Sequence, residues 1–382
     1  MNPMYKFAYI VLLAMLSQLV QAVPFGIEAR SLAMGNASVA TADIATASFA
    51  NPAMLAYQQT DDNFALLIPA VGLYIDDSDG IKDLIDQYRA AESVADQVTQ
   101  LNVVNQMFGK VVEPQLSVAT AIGYAGRNFA VSLSARSDLI AGGGLTNPAL
   151  SAPELSDPAK NILRIEGVNT LEIGASLAGN MRFLGRKISI GVTPKIISVE
   201  QTSFSESIST LKTDTLDLLD DSQTRDLGSY NTLDVGAVME LSRSIHLGIV
   251  ARNLIEHEIR FISSNGQPAT LVLASSYRAG LAYRSNFMTF GADLDLNEVD
   301  APLSLFQADK RRMLSIGAEF NAFDFAQLRV GLQKNTASGI SEGGKNELLT
   351  AGVGFWFGFH LDVTAALADD VLGLFVQTGF RF

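Results

Sequence analysis

Stretches of about ten residues, in which apolar side chains alternate with small or polar ones, recur along this chain, and a period of two leaves few folds open. In the last of them, GLFVQTGFRF, Leu374, Val376, Thr378, Phe380 and Phe382 form one row, and Gly373, Phe375, Gln377, Gly379 and Arg381 form the other. The same reading holds from Leu314 to Phe320, from Ala326 to Leu332, from Leu349 to Phe357 and from Leu361 to Leu367. It returns in LDVGAVMEL, SIHLGIVARN, YRAGLAYR and MTFGADLDL, and in LSVATAIGY, FAVSLSAR, LEIGASLAG and ISIGVTPKI. With FALLIPAVGLY near the start, the pattern predicts about fourteen strands, an even number suited to a closed membrane barrel.

Two properties place such a barrel in lipid. Hydrophobic residues make up 48% of the chain and charged residues only 18%, against roughly 25% charged in soluble domains. Within the strands the charges keep to one parity, so Arg278, Asp293, Asp295, Glu319, Arg329 and Asp362 share a face with glycines and hydroxyls. Hydrocarbon offers the backbone no hydrogen-bond partners, which leaves helices and closed barrels as spanning structures. After Ala22 no apolar run is long enough to be a spanning helix.

The connections agree. Short links at Gly126–Asn128, Ser242–Ser244, Ser285–Asn286, Asn321–Asp324 and Gly358–Phe359 alternate with much longer ones. The long ones cover roughly Asp76 to Glu113, Ser137 to Leu163, Ser203 to Ser229, Ile255 to Thr270 and Glu298 to Arg311. A soluble sandwich has no reason to sort its loops in this way, whereas a transmembrane barrel does. The first long link carries Ile81, Leu84, Ile85, Tyr88, Ala91, Ala95, Val98 and Leu101 at helical spacing, so a helix is expected over the barrel mouth. A second loop helix is expected in the acidic stretch Asp214 to Asp221.

Upstream of the strands, Lys6, the apolar run Phe7–Leu16 and Val20-Gln21-Ala22 read as a secretory signal peptide over residues 1–22. Residues 23–60 break the alternation and are rich in Ala, Gly, Ser and Thr. Such residues suit a compact segment inside a lumen; Gly35 permits a turn, and Asn51-Pro52 favours a turn or helix start. Residues 61–382 are the expected barrel.

Ala29, Arg30, Leu32, Met34, Gly35, Ala40, Ala42, Asp43, Ala47, Asn51, Pro52 and Ala53 resemble the N-terminal hatch pattern of the FadL-like outer-membrane transporter superfamily. RRMLSIGAEFNAFDFAQLRVGLQKN and LLTAGVGFWFGFHLDVTAAL are similar to the conjugal-transfer TraF-type outer-membrane family within it. The resemblance implies a barrel with a small hatch in its lumen, with Arg30, Met34, Gly35, Asn36, Asp43, Asn51, Pro52 and Ala53 as hatch residues. It implies a channel for small hydrophobic compounds in the outer membrane of a Gram-negative bacterium, or alternatively a barrel that scaffolds a conjugation or secretion apparatus. Phe380 and Phe382 look like the terminal signal read by the barrel-insertion machinery.

Inward parity gathers Arg136, Arg278, Arg284 and Arg329 with Asp293, Asp295 and Glu319, expected to hold the hatch by ion pairs or to contact a ligand. Catalysis finds little support. The three His residues lack a triad arrangement, no metal-ligand spacing or phosphate loop occurs, and the absence of Cys excludes disulfide and thiol chemistry. No enzyme activity, cofactor or metal is expected. A net charge of −13 argues against nucleic acid as a partner, leaving outer-membrane lipid as the expected surroundings.

Overall fold

The computed structural model describes residues 28–57, 63–77, 79–110, 113–157, 159–207, 223–263, 266–300, 310–323, 325–338, 347–368 and 371–382. The expected signal peptide and the acidic stretch 214–221 lie outside the described residues. Strands β1 (Phe64–Asp76), β2 (Glu113–Ala125), β3 (Phe129–Thr146), β4 (Ile162–Phe183), β5 (Arg186–Ser207), β6 (Gln223–Ser242) and β7 (Ile245–Arg252) form the first half of a barrel. A hairpin of β8 (His257–Ile262) and β9 (Pro268–Leu273) follows. The wall resumes with β10 (Ser276–Arg284) and β11 (Met288–Asp295), and then the short pair β12 (Val299–Asp300) and β13 (Lys310–Arg311) intervenes. Strands β14 (Met313–Phe323), β15 (Ala326–Asn335), β16 (Glu347–Trp356), β17 (His360–Ala368) and β18 (Val371–Arg381) complete the wall. Each wall strand pairs antiparallel with its neighbours, and β18 closes on β1. The closed barrel has the fourteen strands expected from the sequence.

The period of two becomes two surfaces. On β18, Leu372, Leu374, Val376 and Phe380 face outward and are exposed, while Phe375 and Gln377 are buried. On β2, Leu116, Val118, Ile122 and Tyr124 face outward, and Ala119 and Ala121 inward. An apolar outer face on a closed ladder is what a bilayer solvates. Among the described residues no helix is long and apolar enough to cross a membrane.

One irregularity shows how strictly backbone groups are satisfied. Ile68 and Pro69 on β1 both point outward, and the register to β2 and β18 shifts there. Proline has no N–H to give the ladder. Thr120 Oγ1 on β2 donates to the Leu67 carbonyl at 2.7 Å, and Thr378 Oγ1 on β18 donates to the Ile68 carbonyl. Hydroxyls from both flanking strands thus replace the missing ladder bonds.

The two rims differ in height. Strands β4 and β5 run 22 residues each, about twice the 9–11 needed to span a bilayer. The stretches expected as loops from Ser137 and from Ser203 are therefore shorter than the sequence implied: β3 continues to Thr146 and β5 to Ser207. Beyond the membrane both faces meet water, and runs such as Ser203, Ser205, Gln223 and Asp226 lose the alternation that marks a strand. Likewise the expected loop Ile255–Thr270 holds the β8–β9 hairpin, whose Ile259, Phe261, Ala269 and Leu271 pack on Val168, Ile197 and Val199 of β4 and β5.

The barrel mouth carries α3 (Ile81–Ser93) and α4 (Gln97–Met107), two helices where one was expected. The break comes at Ala95, with φ of 55°. Asp96 then caps α4, its carboxylate accepting from the Val98 and Thr99 N–H groups at 3.2 and 3.0 Å. Leu84, Val103 and Met107 pack with Leu145 of β3, while Val98 is left 69% exposed, so the predicted stripe ends with α3.

Replacing both Thr120 and Thr378 by Val should destabilise the barrel by about 1–3 kcal/mol for each orphaned carbonyl. Urea unfolding from lipid vesicles reads this directly, and wild-type stability in the double variant would contradict it.

Candidate functional site

Residues 28–57 lie among the inward-facing side chains of the wall. They form α1 (Ala29–Ala33), α2 (Ala47–Ala50) and a 3₁₀ turn (Pro52–Leu55), joined by turns. A segment so short cannot satisfy its own backbone, and the strands supply the partners. The Ala29 N–H donates to Gln377 Oε1 at 3.0 Å, and Thr364 Oγ1 donates to the Ala29 carbonyl at 2.6 Å. Thr350 Oγ1 donates to the Ala33 carbonyl at 3.2 Å and accepts from the Gly35 N–H at 3.0 Å. Asp293 on β11 accepts from the Ser38 and Val39 N–H groups at 2.7 and 2.9 Å.

The residues singled out in 28–57 occupy specific places in this seat. Gly35 and Asn36 turn the chain at φ of 64° and 63°. A Cβ on Gly35 would lie 2.6 Å from the carbonyl oxygens of both Ile316 and Leu332, so wall and segment touch backbone to backbone. Met34 is fully buried, its main chain against Gly317 and Gly331. Asn51 Nδ2 donates to the Val39 carbonyl at 2.8 Å, and its Oδ1 accepts from the Ala53 N–H at 3.1 Å, capping the turn that Pro52 opens. Ala53 is fully buried, and Pro52 and Ala53 lie against Gly191 of β5.

Charge crosses the same boundary. Arg30 Nε and Nη2 donate to the two oxygens of Glu319 at 2.7 and 3.0 Å, and its Nη1 donates to the Thr41 carbonyl at 2.8 Å. Arg329 Nε shares Glu319 at 2.8 Å, and Nη1 reaches Asp362 at 2.5 Å. Asp43 pairs with Arg381, so the charged row of the terminal strand does point inward. Burial pushes the Asp43 carboxyl up, but Arg381 and Arg30 outweigh it and hold the group below its ordinary range. Arg136 pairs with Asp138 at 2.5 Å and Arg278 with Asp295 at 2.5 Å, facing away from this network. Arg284, of the same parity, has no acid partner among the described residues.

Other groups went unrecognised in the sequence. Lys195 lies between Glu172 and Asp234 at 3.0 and 2.9 Å. Inward parity on β5 and β6 was the available signal. The Tyr57 hydroxyl and His246 Nδ1 are 2.6 Å apart. Burial pushes the phenol up to about 12, so Tyr57 keeps its proton, and the imidazole tautomer sets which of the two groups donates.

Two cavities flank the segment. The loop-side one, of about 250 Å³, is lined by Ser38, Val39 and Phe49, by the apolar Ile140, Val168, Ile197, Val250 and Leu271, and by the pairs of Arg136, Lys195 and Arg278. The turn-side one, of about 230 Å³, is lined by Arg30, Asp43, Met54, Tyr57, Arg284, Glu319, Arg329, His360 and Arg381. Among the described residues no cluster of His, Asp and Glu is placed to hold a metal ion. Phe380 and Phe382 are on the outer side, their rings stacked with centroids 6.3 Å apart. The Phe382 carbonyl accepts from the Asn63 and Phe64 N–H groups at 2.7 and 2.9 Å and so completes the β1–β18 seam.

Glu319→Gln should loosen the segment by about 3–5 kcal/mol, because Arg30 and half of Arg329 lose their buried counter-charge. Hydrogen exchange over residues 28–57 should rise sharply while the barrel amides stay protected. A second expectation concerns pH. Burial, and then the nearby Asp43, raise the Glu28 carboxyl from 4.5 to about 7 against the pull of Arg30 and Ser31. The docked state keeps this proton where an exposed Glu has lost it, so docking is strongest below the exposed value. It weakens as pH rises from 4.5 towards 7 and is flat above. Glu28→Gln should remove this slope in the same exchange measurement.

The family model described as "F plasmid transfer operon, TraF, protein" matches residues 48–295, well over half of the chain. No curated protein sequence matches it. Several solved structures share its fold. The Ralstonia pickettii toluene transporter TbuX is 13% identical with a TM-score of 0.53, over 94% of this chain and 99% of that one. A Pseudomonas aeruginosa FadL homologue is 11% identical at 0.56, over 92% and 97%. The P. putida toluene transporter TodX is 12% identical at 0.53, over 94% and 99%. The wall, its apolar outside and these likenesses make the chain an outer-membrane β-barrel of the FadL-like fold, and by the family match it belongs to the TraF family of the F plasmid transfer operon.

Proposed function

We propose that the protein is an outer-membrane channel for small compounds with an apolar body, and that residues 23–60 act as a hatch that closes its lumen at rest. The observation that carries this reading is the loop-side cavity. One wall of it is apolar, from Phe49, Ile140, Val168, Ile197, Val250 and Leu271, and the other is a set of charges already paired with one another. A mostly apolar concavity with a few oriented polar groups is the usual form of a small-molecule site, and at about 250 Å³ this one lies just below the common size range of roughly 300–1,000 Å³. The solved channels of this fold that carry toluene support the substrate class by analogy of fold alone.

In this reading the signal peptide over 1–22 delivers the chain to the periplasm, and Phe380 and Phe382 present the insertion signal. Arg30, Met34, Gly35, Asn36, Asp43, Asn51, Pro52 and Ala53 hold the hatch in its seat. Glu319, Arg329 and Asp293 are its anchors in the wall, while Arg136 and Arg278 face the solute.

Uptake of labelled toluene and of a labelled long-chain fatty acid should fall in cells lacking the gene and return with it; unchanged uptake of both would sink the channel. Replacing Asn51-Pro52 by Gly-Gly should leave the barrel assembled, with boiled and unboiled samples still migrating differently, and should raise its conductance in planar bilayers. An unaltered conductance would count against a closing hatch.

A further inference from the structure

The turn-side cavity has a charge that the protein itself does not neutralise. Arg30, Arg284, Arg329 and Arg381 line it, and the carboxylates that reach these cations are Glu319, Asp362 and Asp43. Arg30 and Arg329 share Glu319, Arg329 also takes Asp362, and Arg381 takes Asp43. Arg284 is left over. Its Nε is buried without a hydrogen-bond partner, and among the described residues no carboxylate approaches its guanidinium within salt-bridge distance. Within the same cavity Gln327 Oε1 and His360 Nδ1 are also buried and unpartnered. Arg284 is half-buried with its Nε sealed from solvent, and a guanidinium so placed without a counter-ion is costly. Its unmet Nε beside the unmet His360 ring nitrogen describes a binding site more readily than a packing fault, while Gln327 Oε1, an acceptor, is left for a donor such as water.

We propose that the turn-side cavity is an anion site, with Arg284 as its recognition residue, that takes the carboxylate of a small organic monoanion. One cation is in excess, so one negative charge brings the cavity to balance. The planar fork of a guanidinium matches a carboxylate in a bidentate pair. Met54, Ile44 and the ring of Tyr57 give the organic body an apolar wall. The site opens toward the rim of short turns, because Arg284 ends β10, Arg381 ends β18 and His360 begins β17. It lies across residues 28–57 from the loop-side cavity, and a barrel that conducts nothing could still bind there, so the proposal stands or falls apart from the channel reading.

The test titrates 4-fluorobenzoate into the purified full chain in detergent and follows it by ¹⁹F NMR. Saturable binding is expected, weakened at least tenfold in Arg284→Gln, several-fold in Arg284→Lys, which keeps the charge and loses the fork, and unchanged in Arg127→Gln, an exposed turn arginine. Neutral 4-fluorobenzyl alcohol should bind far more weakly than the acid. Different mobility of boiled and unboiled samples verifies assembly of each variant, and if Arg284→Gln fails to assemble, Arg284→Lys decides. Absence of saturable binding, equal affinity in the Arg284 variants, equal affinity for the alcohol, or stronger competition by inorganic phosphate than by benzoate would each overturn the assignment.

Discussion

A strand wall in hydrocarbon has to close on itself, because an open edge would leave a column of backbone groups with nothing to bond. Here closure depends on the pairing of β1 with β18, and the last residue takes part in it. Phe382 both donates to and accepts from Phe64, so its backbone groups are spent on the seam. The same requirement explains Thr120 and Thr378, whose hydroxyls take over where Pro69 breaks the ladder. Once closure is fixed, alternation dictates the rest: one face of every strand meets lipid, and the other must be filled, paired or wet.

The filling follows from an exchange of opposite needs. Short helices and turns between residues 28 and 57 leave N–H and carbonyl groups without partners, and a strand's inward row can offer side chains but no backbone. Gln377, Thr364, Thr350 and Asp293 are placed to meet those groups one by one. Small residues let the two backbones come close enough for such short side chains to reach, as at Gly35 against Ile316 and Leu332. Arg30 and Asp43 then tie the segment to Glu319 and Arg381 through buried charges, whose loss on one side would strand the other.

The sequence made the wall legible because lipid enforces a strict two-residue period, and Leu374, Val376, Phe375 and Gln377 all lie on the faces that alternation assigned to them. Where water replaces lipid the signal failed, which is why β3 and β5 run past Ser137 and Ser203 and why the β8–β9 hairpin was read as loop. The single helix expected over the mouth became two because a positive φ at Ala95 leaves no periodic trace. Parity brought Glu319, Arg329, Asp293 and Arg284 to the lumen but could not say which would pair. That depends on the height of each side chain along a tilted strand and on what the N-terminal segment places opposite, and neither is written in a period of two.

That difference in height separates two electrostatic environments. On the loop side Arg136, Lys195 and Arg278 each rest against a carboxylate on the same or a neighbouring strand, so their fields cancel over a few ångströms and the surface presents dipoles more than net charge. On the turn side the pairings run between segment and wall and leave Arg284 uncovered. In a chain of net charge −13 this local positive excess runs against the overall sign. On the functional reading proposed, a solute entering from the loops meets an almost neutral chamber suited to an apolar body. After passing residues 28–57 it meets a guanidinium that favours a carboxylate. On that reading the two chambers would select on different properties, and Arg30, which lines the second chamber, also holds the segment between them to Glu319.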